Sequence, residues 1–453
     1  MSGTGVSVDQ LPMRFRSFEG PEPLGSDTML KQLLGMGPPT TMAADRHFRS
    51  VLNEWVNLEA LSSDDSRRLA QVTRAIFLKI ESLDKMAERI LNAQKVLSII
   101  RHCFLQDPRK FKVSTPESLE ILSAIVPVYT TRGSGRFFDD ISTVPFVDHE
   151  GLTIWMPKLG RLAEKSSFGS VKQVSIGRRD GKVGQCAMKV TELARPDALF
   201  AALTEWILLN ALSSPHVLPV RTAFIYMDTR DGRPRKVPRF AMVSDVCSKL
   251  DIPQKGHLNE GVADIIEVVR CLVWIHSAGV GYSDSKFDNF LKFAGKVVAS
   301  DFGQSIFLNV QDVGVHLPFR VGGRFPAPEL AECRKGEGVL PDIQKIDVFP
   351  VGVMLYQILA ANNVVDSVGF PTDRQWRKAP QFKNPSLSFC IQATAQLKKV
   401  QKINKNQPLQ ARLMAIVRVT EACLDHNPTH RPTVNVLLDQ LTGIGLDSNR
   451  FSP

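Results

Sequence analysis

Between His276 and Gly303 the oxygen-bearing side chains of the chain include Asp284, Asn289 and Asp301, the last opening an Asp-Phe-Gly turn. Asp284 and Asn289 precede the apolar pair Phe290-Leu291, and Asp301 follows Val297-Val298-Ala299, with Gly295-Lys296 between the two runs. That pattern predicts a short β-hairpin whose outer ends lie together. A carboxylate and a carboxamide meeting at such an end are hard ligands suited to Mg²⁺, with room left for water and phosphate. A second carboxylate nearby can orient a hydroxyl nucleophile, and the three groups together are equipment for phosphoryl transfer.

The order D-x-K-x-x-x-N followed by D-F-G, after the helix-like segment VRCLVWIHSAG, resembles the catalytic loop and metal-binding turn of eukaryotic protein kinases. Asp, Lys and Asn are common loop residues, and a DFG tripeptide alone is weak. Both motifs at this separation, with further landmarks elsewhere, carry the resemblance. It covers roughly residues 152–441 and implies an α+β, bilobal protein-kinase-like fold: a small β-rich lobe and a large helical lobe, preceded here by an N-terminal helical extension. It implies ATP and Mg²⁺ as cofactors. Asp284 then orients the attacking hydroxyl, Lys286 neutralises the γ-phosphate, and Asn289 and Asp301 hold metal.

Other residues follow from the same resemblance. Cys186-Ala187-Met188-Lys189 matches the strand whose lysine bridges the α- and β-phosphates, and Glu205, in a helical segment, matches its ion-pair partner. Leu209, one turn on, is expected in an apolar stack with Phe302. Ser244 falls at the gatekeeper position, and backbone groups of Asp245 and Cys247 would pair with an adenine edge; a slip of one residue stays open. Ala327-Pro328-Glu329 and Arg431 match the end of the activation segment and its distant partner, and Asp347 matches the aspartate that holds the catalytic-loop backbone. D-x-K is the Ser/Thr-kinase form of the loop.

There are departures. The phosphate-covering loop, G-x-G-x-x-G-x-V in the family, reads Glu164, Ser166, Gly169 and Val171 here, so only the third glycine is kept. Glycine lets backbone N–H groups approach phosphate without a Cβ in the way, and Glu164 adds a negative charge. Ser283 replaces the arginine that receives an activation-segment phosphate. Between Asp301 and Glu329 the only hydroxyl residue is Ser305, so the segment is expected to be ordered by its own packing, either constitutively on or permanently off. By spacing, Gly322 stands where a threonine usually contacts the catalytic Asp and Lys. The resemblance therefore implies an atypical Ser/Thr protein kinase without phosphate control. A pseudokinase scaffold or allosteric regulator is the alternative. A small-molecule kinase is disfavoured by the Ala-Pro-Glu and Asp347 landmarks.

The elements that must position these groups read as follows. Residues 1–45 form a disordered leader rich in Gly, Pro, Ser and Thr, with one short apolar run at Met29–Leu34. Residues 46–130 form a helical extension. There Leu69, Val72, Ile76, Ile80 and Leu83, and then Met86, Ile90, Leu97 and Ile100, recur at helical spacing, and Ser63-Asp64-Asp65 offers a cap. Its role is a regulatory or docking module, or a stabilising layer. Residues 131–150 are a linker anchored by Phe137, Phe138 and Phe146, and 151–445 the kinase-like domain. The phosphate-loop region itself reads as strand, loop, strand, Asp-Gly turn and strand.

Composition bounds the rest. Hydrophobic content of 43% and charged content of 23% are those of a soluble globular chain. The net charge of +10 comes without a block of consecutive Lys or Arg, so a basic surface is expected and no direct nucleic-acid contact. Seven cysteines stand singly, without zinc-site spacing. No stretch approaches a membrane span, and the N-terminal residues lack the apolar core of a signal peptide. The expected partners are ATP and a protein substrate or binding partner. The extension, the relaxed phosphate loop and the unphosphorylatable segment are similar, in a general way, to divergent kinases that apicomplexan parasites secrete from rhoptries. That likeness leaves two compartments open: cytoplasmic, or secreted if a leader was removed.

Overall fold

The structure is a computed structural model that describes residues 28–58, 60–104, 113–129, 146–147, 153–155, 169–177, 183–230, 233–309, 326–329, 342–368, 385–403 and 408–444. It has a small sheet-based lobe and a large helical lobe, as the sequence implies.

The N-terminal helices are α1 (Thr28–Gly35), α2 (Met42–Trp55), α3 (Ser63–Ser82), α4 (Met86–Phe104) and α5 (Pro116–Ser123). The expected leader thus gives way to helix well before residue 45: Met29 and Leu33, one turn apart, are buried and hold α1 to its neighbours. The α3 cap is one residue earlier than expected, because Ser62 accepts the Asp65 N–H at 3.0 Å and donates to the Asp65 carboxylate at 2.8 Å. Helix α4 is enclosed on nearly every side, burying Ile90, Leu97 and Ile100 together with Gln94, Lys95 and His102. Lys95 directs its Nζ to the Leu34 carbonyl at 2.6 Å, so it closes the C-terminal end of α1, where a cation is favoured.

The small lobe holds one sheet of strands β1 (Val128–Tyr129), β2 (Phe146–Val147), β3 (Thr153–Trp155), β4 (Gly169–Gly177), β5 (Val183–Glu192), β6 (Val220–Arg230) and β7 (Arg233–Asp245), in the order β1-β6-β7-β5-β4-β3-β2. All neighbours run antiparallel except β1 and β6, whose register pairs Val128 with Ile225. Phe146, expected as a linker anchor, lies in β2 opposite Ile154. Helix α6 (Pro196–Ala211) packs under this sheet, and α4 packs against α6 from the far side.

The extension is therefore tied to the kinase-like part by a strand and by side chains. Trp206 on α6 donates its indole N–H to the Ile125 carbonyl at 3.3 Å. Arg89 on α4 donates to the Ile80 carbonyl at 2.8 Å and to the Asn210 carbonyl, on the last turn of α6, at 2.7 Å. Arg89→Ala should lower unfolding free energy by about 1–3 kcal/mol in urea titrations, the cost of orphaned half-buried carbonyls. An unchanged midpoint would mean that the two parts are not coupled there.

Beyond β8 (Ser248–Lys249), the large lobe contains α7 (Leu258–Ser277), β9 (Val280–Gly281), the hairpin β10 (Phe290–Phe293) and β11 (Lys296–Ala299), β12 (Ile306–Phe307), and helices α8 (Ile343–Ala361), α9 (Pro385–Ile403), α10 (Pro408–Cys423) and α11 (Val434–Gly443). The hairpin forms as expected, with Ala294 and Gly295 both at positive φ (49° and 78°), the backbone of a tight two-residue turn. Helix α8 is the buried axis of this lobe, and Gly352 lets it approach α10: a Cβ there would lie 2.7 Å from that of Cys423. No helix of the described residues is long and apolar enough to cross a membrane.

Candidate active site

Strand β5 alternates from Cys186 to Val190. Cys186, Met188 and Val190 are buried, while Ala187 and Lys189 face the cleft between the lobes. Register puts Val171 opposite Lys189, and on β7 it puts Met242 opposite Lys189 and Ser244 opposite Ala187. Val171, Ala187 and Ser244 thus share the face that carries Lys189. Gly169 opens β4. Glu164, Ser166 and Gly322 lie outside the described residues.

The Lys189 ammonium lies 2.7 Å from Glu205 Oε2 and 3.1 Å from Asp301 Oδ1. Helix α6 brings Glu205 there, and the 3₁₀ turn Phe302–Gln304 packs on the same helix. Gly303 permits that approach, since a Cβ on it would sit 3.1 Å from the Ala201 carbonyl oxygen. Leu209 and Phe302 are both buried, as the expected stack requires. Burial disfavours the ammonium of Lys189, but Asp301 and Glu205 outweigh it and hold its pKa above the usual lysine range. Burial pushes Glu205 up to about 7, Lys189 opposing and Asp301 adding to the rise. For Asp301 burial also works upward, yet Lys189 and Lys286 pull its carboxyl below the ordinary range, so it stays ionised.

These shifts give a pH signature. Glu205 is neutral below its raised pKa and charged above it, so the charged Lys189–Glu205 pair assembles as pH rises through about 7. Turnover should rise across that interval. Stability should move oppositely: the raised carboxyl pKa favours the folded state in full below about 4.5, and that gain is lost as pH rises from there to about 7. A turnover profile flat between pH 6 and 8 would contradict this assignment.

Asp284 is 6% exposed and follows Ser283, which sits at φ 62° in the left-handed region. Asp301 has φ 57°. Two non-glycine residues held in that region flank the cleft, a strain maintained by surrounding bonds. Asp347 supplies several: its carboxylate accepts the Tyr282 N–H at 2.7 Å and the Ser283 N–H at 2.6 Å, and His276 Nε2 lies 2.7 Å away. The Tyr282 hydroxyl donates to the carbonyls of Asn289 (3.2 Å) and Ser300. Its ring meets Phe302 edge-on at 5.2 Å and Phe290 at 5.4 Å. The catalytic-loop backbone is thereby bolted to α8, to the hairpin and to the DFG turn.

Asp284 Oδ2 accepts from Lys286 Nζ at 2.7 Å and from Asn289 Nδ2 at 2.9 Å, whereas its Oδ1 is enclosed without a partner. One oxygen is anchored and the other is left for an incoming proton. Burial raises the Asp284 pKa first, with Lys286 opposing and Asp301 adding. Asn289 spends its amide nitrogen on Asp284, which leaves its amide oxygen for a ligand. With the ionised Asp301 this is an all-oxygen donor set of one carboxylate and one carboxamide, which fits a hard cation that keeps waters and phosphate in its shell.

At the cleft edge, the Asp245 carbonyl accepts from the Ser244 hydroxyl at 3.3 Å and lies 3.6 Å from the Cys247 thiol, so an adenine amino group would compete with local donors. Burial pushes the Cys247 thiol up to about 11, with Asp245 adding to the rise. Arg221 pairs with the Asp245 carboxylate at 2.5 Å. Lys286 lines a cavity of about 300 Å³ together with Leu250, Asp251, Ile252, Phe287, Asp288 and Gln357. Sequence reasoning assigned no role to Tyr282, His276 or Arg221. Tyr282 occupies the position of the family's usual histidine, and that exchange was the available signal.

Comparison with known proteins points the same way. The family model described as the protein kinase domain matches residues 164–441. Mouse serine/threonine-protein kinase SIK1 is 25% identical over 256 residues, 54% of this chain and 31% of that protein. Human testis-specific serine/threonine-protein kinase 3 is 24% identical over 219 residues, 47% of this chain and 77% of the relative. Mouse serine/threonine-protein kinase Nek9 is 24% identical over 180 residues, covering 39% and 15%. The chain thus spans under a third of the first of these relatives.

Proposed function

Because the chain belongs to the protein kinase family, as a divergent member, we propose that it is an active, atypical Ser/Thr kinase that transfers the γ-phosphate of ATP to protein hydroxyls. The observation that carries this reading is Lys189 set between Glu205 and Asp301, with the Asp284 Oδ1 atom unclaimed nearby. The family's chemistry needs the lysine–glutamate pair and the DFG aspartate in place together.

In this reading Lys189 binds the α- and β-phosphates, held there by Glu205. Val171 and Ala187 line the adenine, whose edge meets backbone groups of Asp245 and Cys247; Ser166 and Gly169 belong to the cover of the phosphates. Asn289 and Asp301 hold Mg²⁺, which when bound neutralises charge on the phosphates. Asp284 Oδ1 takes the hydrogen bond of the acceptor hydroxyl, and Lys286 stabilises the charge that develops on the transferring group. The cavity that Lys286 lines, with Asp251 and Asp288 on its wall, suits a protein segment bearing the acceptor. The likeness to rhoptry-secreted kinases belongs to the same reading, and the helical extension supports it.

The test is a γ-phosphate transfer assay with MgATP over a broad protein and peptide panel, run beside thermal shift with MgATP and with Asp284→Asn as control. Transfer that the substitution removes supports the kinase. A folded, MgATP-binding chain that transfers nothing supports a pseudokinase scaffold, the reading that Glu164, Ser283 and Gly322 favour.

A further inference from the structure

Two serines stand between the catalytic loop and the activation segment, and the reading above does not use either. The Ser283 hydroxyl donates to the Gln304 carbonyl. The Ser305 hydroxyl donates to the Tyr282 carbonyl at 3.3 Å. Each hydroxyl is thus accepted by the residue immediately before the other serine. Ser283 is 2% exposed and Ser305 5%. The clasp continues a short ladder in which Gly281 pairs with Ile306 and Val280 with Phe307, and the Leu308 N–H reaches the Gly279 carbonyl at 2.9 Å. It lies one residue from Asp284 and four from Asp301.

We infer that Ser283 and Ser305 are positioning residues that act as one clasp, fixing Asp284 relative to Asp301 and so replacing the phosphate that would otherwise order the segment. The inference rests on the proposed kinase activity and adds to it the residues that make phosphorylation unnecessary. Ser283 sits where the arginine that grips an activation-segment phosphate would stand. It needs no phosphate, because its partner is a backbone carbonyl already in reach. Ser305, the segment's one hydroxyl residue, has its oxygen enclosed and engaged, so it is a structural donor and not an acceptor for phosphate in this arrangement. Ser283 holds a left-handed backbone, and the Asp347 carboxylate that accepts its N–H helps to hold that conformation. Removing either hydroxyl orphans a buried carbonyl and frees one side of the clasp; removing both should cost little more than removing one, since the remaining half has lost its geometry.

The experiment uses the full chain as wild type, Ser283→Ala, Ser305→Ala, Ser305→Thr and the double alanine variant. Steady-state transfer, thermal unfolding and amide hydrogen exchange over residues 301–308 are measured after phosphatase treatment. Phosphatase-treated wild type should keep full turnover. Each alanine variant should lose about tenfold in kcat, a loss of one buried hydrogen bond's size, with KM for ATP within about twofold, because Lys189 and Glu205 are untouched. The double variant should fall short of the product of the singles, and Ser305→Thr should restore turnover. Exchange in 301–308 should quicken in both alanine variants. Unchanged kcat, multiplicative losses, or a wild type that phosphatase inactivates would overturn the clasp. If the wild type transfers no phosphate, the kinase reading fails by itself and the clasp is judged on exchange: quickened, it stands as a structural coupling; unchanged, it falls.

Discussion

Asp284→Asn should leave the chain folded while lowering γ-phosphate transfer by about 10²–10⁴-fold, the range over which a positioned base acts. The amide oxygen of asparagine can keep the bonds from Lys286 and the Asn289 amide that Oδ2 now accepts. The amide nitrogen then falls where Oδ1 lies, and a donor replaces the one acceptor the site offers a hydroxyl. Folding should tolerate the change. Burial raises the Asp284 pKa, so at neutral pH the folded state bears a cost for its charge that asparagine removes. The check is kcat at saturating MgATP beside a melting curve. Retained turnover in a folded variant would remove Asp284 from the mechanism; turnover lost together with the fold would say nothing of the base, and Asp284→Glu then separates the two.

Glu329→Ala should cost about 3–5 kcal/mol of unfolding free energy. Arg431 is 1% exposed, and its guanidinium meets Glu329 through two bonds of 2.6 and 2.9 Å. Its Nε reaches the Asp425 carbonyl at 2.7 Å, and the group lies over the Phe349 ring at 5.2 Å. Removing the carboxylate leaves a buried charge with carbonyls alone. Replacing both partners with apolar residues should recover much of the loss, since the pair's worth is mostly the penalty for breaking it. Urea unfolding of the single and double variants measures this; a single variant within 1 kcal/mol of wild type would show that water or a neighbour compensates.

The groups that could be read from sequence are those that sit in recognisable family motifs. Lys189 with Glu205, Glu329 with Arg431, and Asp347 beneath the loop backbone were all legible through the kinase resemblance, which fixes each by its motif. Such pairs survive in spacing however far apart they lie. Hydroxyl-to-carbonyl contacts such as Ser283 to Gln304 leave no trace, because every residue has a carbonyl. The tie between the extension and the small lobe was hidden for a related reason. Two-residue strand β1 carries no periodicity, and Trp206 meets a backbone oxygen 81 positions away. Helix α1 was passed over because two buried side chains, Met29 and Leu33, are a faint signal beside Gly- and Pro-rich neighbours. The cap of α3 was missed by one residue since Ser62 and Ser63 are chemically equivalent until the backbone is known.

The parallel pairing of β1 with β6 bears on where this chain can be cut. The match to the kinase family model begins at residue 164, and a recombinant piece starting there would lack β1, β2, β3 and the helices that cover α6. The Ile225 N–H, now bonded to the Pro127 carbonyl at 2.8 Å, would face an open sheet edge, and the face of α6 around Trp206 would be bare. Exposed strand edges and apolar helix faces of that kind recruit other copies of the chain. A recombinant piece that keeps β1 and the helices α1 to α5 should therefore stay monomeric where one starting at residue 164 self-associates.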